Sequence, residues 1–281
     1  MVRLMPHSFL RSETGRLRLC GHRGDSVAAP ENTIAAFRAA HALGASSMEI
    51  DTVLTADRRI VVLHDLLVDR TTNGTGAARD MTAAQIAELD AGSKFDASFA
   101  GERVPTLRET IALAHELDLV LEVEIKEKLD PGGYIEALKV VLAEEADRDR
   151  VMMISFDHAH LKAVKAAVPD LRTGGIVHEH YPDVVAVARM SDLDELCIDL
   201  DVFDPADGRA LHAAGIAVRC HAYQPRVWKQ ARRAGFNWDV DLATWLRDGL
   251  IDTLSGDDVE WLSRFAAASL GAQSGAATPR V

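Results

Sequence analysis

Short β-rich runs alternate with longer helical stretches along most of the chain, and this alternation constrains the fold more than any other feature. The first run is RLRLCGHRG, followed by a helix expected over about residues 32–43 and closed by Gly44. SSMEIDTVLT comes next, then a turn at Asp57-Arg58, then RIVVLHD. Later runs are LVLEVEIK, VMMISFD, LRTGGIVHE, ELCIDLD and IAVRCHAY. Between them lie TLRETIALAHEL, GGYIEALKVVLAEEA, HAHLKAVKAAV, PDVVAVARM and PADGRALHAAG, which read as helices. Strand then helix, repeated this often, predicts parallel strands with right-handed crossovers. Seven to nine strand candidates make an α/β fold of the (β/α)8 TIM-barrel type the expectation, with an open doubly wound sheet second. No G-x-G-x-x-G follows a strand, and Gly132-Gly133 follows a proline, so there is no dinucleotide signal.

A barrel of about 250 residues uses a chain of 281 as one domain. The expected organisation is an N-terminal arm over residues 1–16, a single barrel domain over 17–270 and a flexible tail over 271–281. The stretch at about 66–105 is too long for a plain crossover. It is rich in Gly, Asp, Ser and Thr with one short helix at TAAQIAEL, and reads as an insertion after the second strand that serves as a lid or wall. The formal charge of −12 argues against a nucleic-acid partner but not against a phosphate substrate, since local charge can oppose the total. It also makes a metal ion attractive as a carrier of positive charge. Three cysteines without C-x-x-C spacing disfavour a disulfide framework and a structural zinc site. With no apolar signal region and no run of 18 apolar residues, a cytoplasmic location without a membrane span is expected. Residues at the N-terminus such as Phe9 and Leu10 are open to two readings, an arm or a partner contact.

In barrels of this kind the chemistry sits at the C-terminal ends of the strands. Glu49 and Asp51 are two apart on one strand and share a face. Inside a barrel, two like charges in low dielectric need a cation between them, and a hard divalent ion with oxygen ligands is the simple remedy. Glu124 is placed to supply a third carboxylate, and Lys126 shares its face by the same alternation. The bland alternative makes Glu49 and Asp51 exposed edge residues of a misassigned strand. His22 and His64 both end strand runs. Imidazole titrates near neutrality, so two of them around a phosphate suit one base and one acid. Arg23 adds a fork that matches phosphate geometry.

HRG…APENTIAAFRAAHALGA…MEIDTVLTADRRIVVLHDLLVDRTTNGTG resembles the glycerophosphodiester phosphodiesterase family, with GERVPTLRET, LEVEIK and ISFD following in the expected order. The resemblance is strong over residues 19–157 and weaker beyond. It implies a (β/α)8 barrel with a small insertion after the second strand. It further implies His22 and His64 as the general acid/base pair, Glu49, Asp51 and Glu124 as ligands of one divalent ion (Mg²⁺ or Ca²⁺), and Arg23 and Lys126 as phosphate contacts. Glu31 and Asn32 match family positions at the site rim, and equally suit a helix entry with Asn32 as its cap. Glu122 stands where the family often has Asn, and is open between joining the site and stabilising it.

The expected reaction is metal-dependent hydrolysis of a glycerophosphodiester to sn-glycerol 3-phosphate and an alcohol, a step of lipid and glycerol metabolism. Attack by the neighbouring hydroxyl gives a cyclic phosphate and attack by water does not; the sequence accommodates both. The competing readings are a lysophospholipase D-like or phospholipase C-like phosphodiesterase, and a catalytically silent barrel used as a binding module. The family usually carries a tryptophan-threonine pair near the end of strand seven and an Asp-containing turn after strand eight. Here CHAYQP is the favoured strand seven and IDTLSGD the closing strand, with something inserted between; GFNWDVD is the rival strand. His221, Tyr223 and Trp238 are then candidate walls of the leaving-group pocket. His178 and His180 follow a strand and suit the rim, whereas His41, His115 and His212 read as helix-face residues. Cys20 reads as core packing, since hard oxygen sites do not favour thiolate.

Overall fold

The computed structural model describes residues 8–271. The outer ends of the expected arm and tail, residues 1–7 and 272–281, lie outside them. Nine strands are found among the described residues: β1 (Arg18–His22), β2 (Ser47–Leu54), β3 (Ile60–Val62), β4 (Val120–Ile125), β5 (Val151–Ser155), β6 (Arg172–Val177), β7 (Glu195–Asp199), β8 (Ala217–His221) and β9 (Thr253–Gly256). Eight pair in parallel in the order β1-β9-β8-β7-β6-β5-β4-β2, and β1 pairs with β2 to close the barrel. The run RIVVLHD is the exception to the parallel expectation. It forms β3, which pairs antiparallel with β2 outside the barrel wall. The short turn at Asp57-Arg58, with Arg58 at φ 59°, leaves room only for a hairpin.

Crossover helices start where the sequence offers caps. Thr33 accepts from the Ala36 amide at the head of Ile34–Ala42. Thr106 forms a capping box with Glu109 at the head of Leu107–Leu117. Met48, Ile50 and Val123 face outward and join Phe37, Leu107, Ile111 and Leu138 in the main apolar core. The residues on the other face of β2 and β4 point into the barrel. Segment 63–104 packs on the β2–β3 hairpin around a core of its own, made by Val53, Val61, Val68, Ile86 and Val104. Between β8 and β9, GFNWDVD is not a strand. The chain forms two helices there, Pro225–Arg233 and Trp238–Arg247, and IDTLSGD supplies the closing strand. Two extra helices account for the ambiguity of the strand pattern at this point.

The interior is layered. At its N-terminal end Phe9 is buried against Val120, Met152, Ile176 and Ala217, with the Arg18 and Arg172 guanidinium carbons 4.1 Å and 5.2 Å from its ring centre. The arm therefore plugs the barrel floor at this residue. Above it Glu122 and Arg219, 0% and 3% exposed, form an ion pair at 2.9 Å. Glu195 lies in the same layer; burial and then the Glu122 charge push its carboxyl up to about 8. Cys20, Cys197 and Cys220 are buried and unpaired. Among the described residues no helix is long and apolar enough to cross a membrane.

Candidate active site

Strand register builds the centre of the site. His22, Glu49 and Glu122 are lateral neighbours across β1, β2 and β4, and Asp51 is level with Glu124. Glu49, Asp51 and Glu124 each bring an oxygen within 4.8 Å of the others. Their exposures of 1%, 0% and 6% remove the edge-strand alternative. Burial, then repulsion by Asp51, pushes the Glu49 carboxyl up to about 7. Asp51 moves the other way: burial would raise its pKa, but Arg23 and Lys126 outweigh that and hold it below its ordinary value.

The loop after β1 explains this difference. Arg23 and Asn32 both adopt left-handed backbone, at φ 60° and 59°. Non-glycine residues in that region are strained by about 1–3 kcal/mol and are held there by their surroundings. The Arg23 amide donates to the Glu49 carbonyl at 2.9 Å, and the Asn32 amide donates to the Arg23 carbonyl at 3.0 Å. Gly24 fixes the approach: a Cβ there would sit 2.6 Å from the Ala36 backbone. So held, Arg23 places Nε 3.0 Å from Asp51 and one terminal nitrogen 3.1 Å from Glu31. Asn32 is not the helix cap, a role Thr33 takes. Its amide nitrogen donates to Asp51 at 2.8 Å and its oxygen accepts from the Asp51 amide at 3.2 Å. Lys126 bridges Asp51 at 3.2 Å and Glu124 at 2.5 Å.

Each of the two predicted histidines is oriented by a carboxylate. His22 donates from Nδ1 to Asp257 at 2.6 Å, and its Nε2 lies 3.7 Å from Glu49. Burial would lower the His22 pKa, but Glu49 and the Asp257 bond reverse the sign and raise it. Gln224 donates to the other Asp257 oxygen at 2.6 Å. His64 donates from Nδ1 to Asp65, also at 2.6 Å. Arg70 clasps Asp65 at 2.7 Å and Glu31 at 2.7 and 2.8 Å, joining the insertion to the β1 loop. Its bonds, with that from His64, keep Asp65 at about 2.

His22, Arg23, Glu49, His64, Glu124, Lys126, His221 and Tyr223 line one cavity of about 370 Å³ at the strand C-terminal ends, and Asp51 lies beneath. His221 packs edge-on to His22 at 4.9 Å. Trp238 does not line this cavity; it stands behind Tyr223 with ring centres 5.4 Å apart. Glu122 sits one layer lower, tied to Arg219, so it supports the floor and does not reach the mouth. His180 reaches Asp207 at 3.4 Å rather than the cavity. Asp257, Arg70, Gln224 and Arg219 carry no role in the sequence reading. The Asp-containing turn after β9 is a signal for Asp257; Arg70 and Gln224 act across distant loops and leave no local pattern.

The carboxylate cluster fits a hard cation. Glu49 Oε1 is buried with no hydrogen-bond partner, although Arg23 and Lys126 already contact the neighbouring acids. All three donors are oxygen, as a Mg²⁺ or Ca²⁺ site requires.

Comparison with known proteins gives the same direction. Residues 22–260 match the profile of the "Glycerophosphoryl diester phosphodiesterase family". A glycerophosphodiester phosphodiesterase from Caldanaerobacter subterraneus subsp. tengcongensis is 47% identical over 155 residues, which cover 54% of this chain and 63% of that relative. Human glycerophosphodiester phosphodiesterase 1 is 33% identical over 188 residues, covering 64% of this chain and 47% of the relative. The aligned stretches thus span less than two thirds of either relative. Among solved structures, an Oleispira antarctica phosphodiesterase in complex with the product sn-glycerol-3-phosphate superposes with a TM-score of 0.76 at 26% identity, covering 90% of this chain and 98% of that one.

Proposed function

The chain belongs to the glycerophosphoryl diester phosphodiesterase family, and from that premise we propose that it hydrolyses glycerophosphodiesters to sn-glycerol 3-phosphate and an alcohol, with a divalent cation at Glu49, Asp51 and Glu124 and with His22 and His64 as its acid/base pair. The observation that carries the reading is the convergence of these three buried acids at the base of the cavity that both histidines line. The small-molecule diester is its partner; no basic face for nucleic acid enters the reading.

Arg23 and Lys126 would hold the phosphoryl group. Both already sit over the acids and present charged N–H groups to the cavity. A bound Mg²⁺ or Ca²⁺ would act as a Lewis acid that offsets charge on the phosphoryl oxygens. Each histidine spends its Nδ1 proton on a carboxylate, which leaves Nε2 as the atom that exchanges a proton with substrate. One imidazole takes the proton of the attacking group, the neighbouring glycerol hydroxyl or a water, and the other returns a proton to the departing alkoxide. Water then opens the cyclic phosphate that attack by the hydroxyl would give. Asp257 and Asp65 keep the rings in the tautomer and orientation this needs. Asn32 keeps Asp51 from turning away from its neighbours.

The test is release of sn-glycerol 3-phosphate from glycerophosphodiesters with and without chelator. His22→Ala and His64→Ala should each slow turnover by about 10²–10⁴ with the fold intact. Near-normal rates in both variants, or full activity in chelator, would overturn the assignment.

A further inference from the structure

The cavity holds a third imidazole–carboxylate pair that the reaction above does not use. His178 follows β6 and hydrogen-bonds through Nδ1 to Asp199, the last residue of β7. Its ring packs against Phe156 with centres 4.6 Å apart. Tyr223, just after β8, completes this wall and donates to Asp201 at 3.0 Å. His178, Asp199, Tyr223 and Phe156 all line the same cavity as His22 and Glu49.

We propose that this wall is an ammonium-recognising subsite, so that the preferred substrate is a zwitterionic glycerophosphodiester whose leaving alcohol carries a primary amine. The inference rests on the phosphodiesterase reading and specifies its substrate. Two features carry it. The first is hydrogen-bond polarity. In its neutral form, with the Nδ1 proton given to Asp199, His178 offers Nε2 as an acceptor. Tyr223 has given its proton to Asp201 and offers an oxygen lone pair. Asp199 offers carboxylate. A wall made of acceptors selects a ligand made of donors.

The second is the distribution of charge across the mouth. The phosphate pole presents Arg23 and Lys126 to the cavity, above the acids of the proposed cation site. On the opposite side, the loops after β6 and β7 carry Glu179, Asp183, Asp201 and Asp204, with no Lys or Arg over residues 178–183 or 200–204, and Arg219, which lines the cavity from β8, is tied to Glu122 below. The two poles are close. Lys126 Nζ is 6.0 Å from the Phe156 ring centre, and the His178 ring centre is 4.6 Å from that same ring. A phosphate joined to an ammonium by two carbons spans such a gap. Burial raises the pKa of Asp199 despite its bond to His178, which marks a carboxylate that an incoming cation would relieve.

A quaternary ammonium suits the wall less well. It has no N–H for the acceptors, and no open aromatic box replaces them. Phe156 is flanked by Lys126 and His178, and Tyr223 by His221 and Trp238.

The experiment measures kcat/KM for the full chain with Mg²⁺ or Ca²⁺ on the ethanolamine, choline, glycerol and inositol esters of sn-glycerol 3-phosphate. The ethanolamine ester should exceed the glycerol ester by about 10- to 100-fold, the range of a charge-assisted hydrogen bond, and should exceed the choline ester as well. His178→Gln and Asp199→Asn should each bring the ethanolamine-to-glycerol ratio close to one, mainly through KM, and either variant alone suffices if the other fails to fold. Equal rates on the ethanolamine and glycerol esters, a choline ester as good as ethanolamine, or a ratio that survives both substitutions would overturn the subsite and leave diester hydrolysis standing. No product from any of the four esters would overturn the hydrolysis reading and this one with it.

Discussion

Replacing Glu195 by Gln should stabilise the protein, and the gain should grow with pH. Glu195 is 1% exposed and one of its oxygens has no hydrogen-bond partner. Burial first, and the Glu122 charge second, lift its carboxyl from an ordinary value of 4.5 to about 8. The folded chain therefore keeps the proton to higher pH than the unfolded chain does. Stability from the protonated group is complete below the unfolded value and is lost as pH climbs through the folded one. At 1.36 kcal/mol per unit, the loss is about 1 kcal/mol by pH 5 and about 3 kcal/mol by pH 7. Gln has the same shape and no proton to lose, so it escapes this term. Urea unfolding of both proteins at pH 5, 6, 7 and 8, followed by circular dichroism, measures the difference. Glu49 also titrates, but it is present in both proteins and cancels. The variant should match wild type within about 1 kcal/mol at pH 5 and exceed it by about 2–3 kcal/mol at pH 7. A difference that does not change with pH would refute the reasoning. So would a loss of 3–5 kcal/mol at every pH, which is the signature of an ionised Glu195 serving as a required partner of Arg219.

Three further outcomes follow from the geometry. Phe9→Ala should destabilise the protein by about 3–5 kcal/mol in the same urea assay, because the ring fills the barrel floor. Arg70→Gln should lower kcat by about 10- to 100-fold by releasing Asp65, and with it His64. The same change should move stability by less than about 1 kcal/mol, since Arg70 is nearly half exposed; steady-state kinetics and a melting curve read the two effects. Saturating Mg²⁺ or Ca²⁺ should raise the melting temperature of the wild type, by about 2.7 kcal/mol of stability at a hundred times Kd, and should not raise that of Glu49→Gln.

Much of this candidate site's geometry is legible in the sequence. Alternation along β2 and β4 places Glu49, Asp51, Glu122 and Glu124 on one face, and a closed barrel turns that face inward. What alternation cannot provide is depth. Glu122 and Glu124 share a face, but only Glu124 is high enough to meet Asp51, because height depends on the stagger between strands. The role of Asn32 was hidden for a related reason. A residue just before a helix suggests a cap, and only a left-handed backbone turns its side chain back onto Asp51. Residues after 221 were hardest to read, since two helices stand where a single crossover is the norm and aromatic runs there suit strand or helix alike.

His22 belongs to a stave of the barrel, whereas His64 follows a hairpin strand that lies outside it and is steadied by Asp65 and Arg70. The two halves of the proposed acid/base pair are thus mounted on different parts of the fold. If that assignment holds, drift in the outer appendage would retune turnover while the proposed ion cradle stays as it is, so homologues should diverge in tempo sooner than in their appetite for metal.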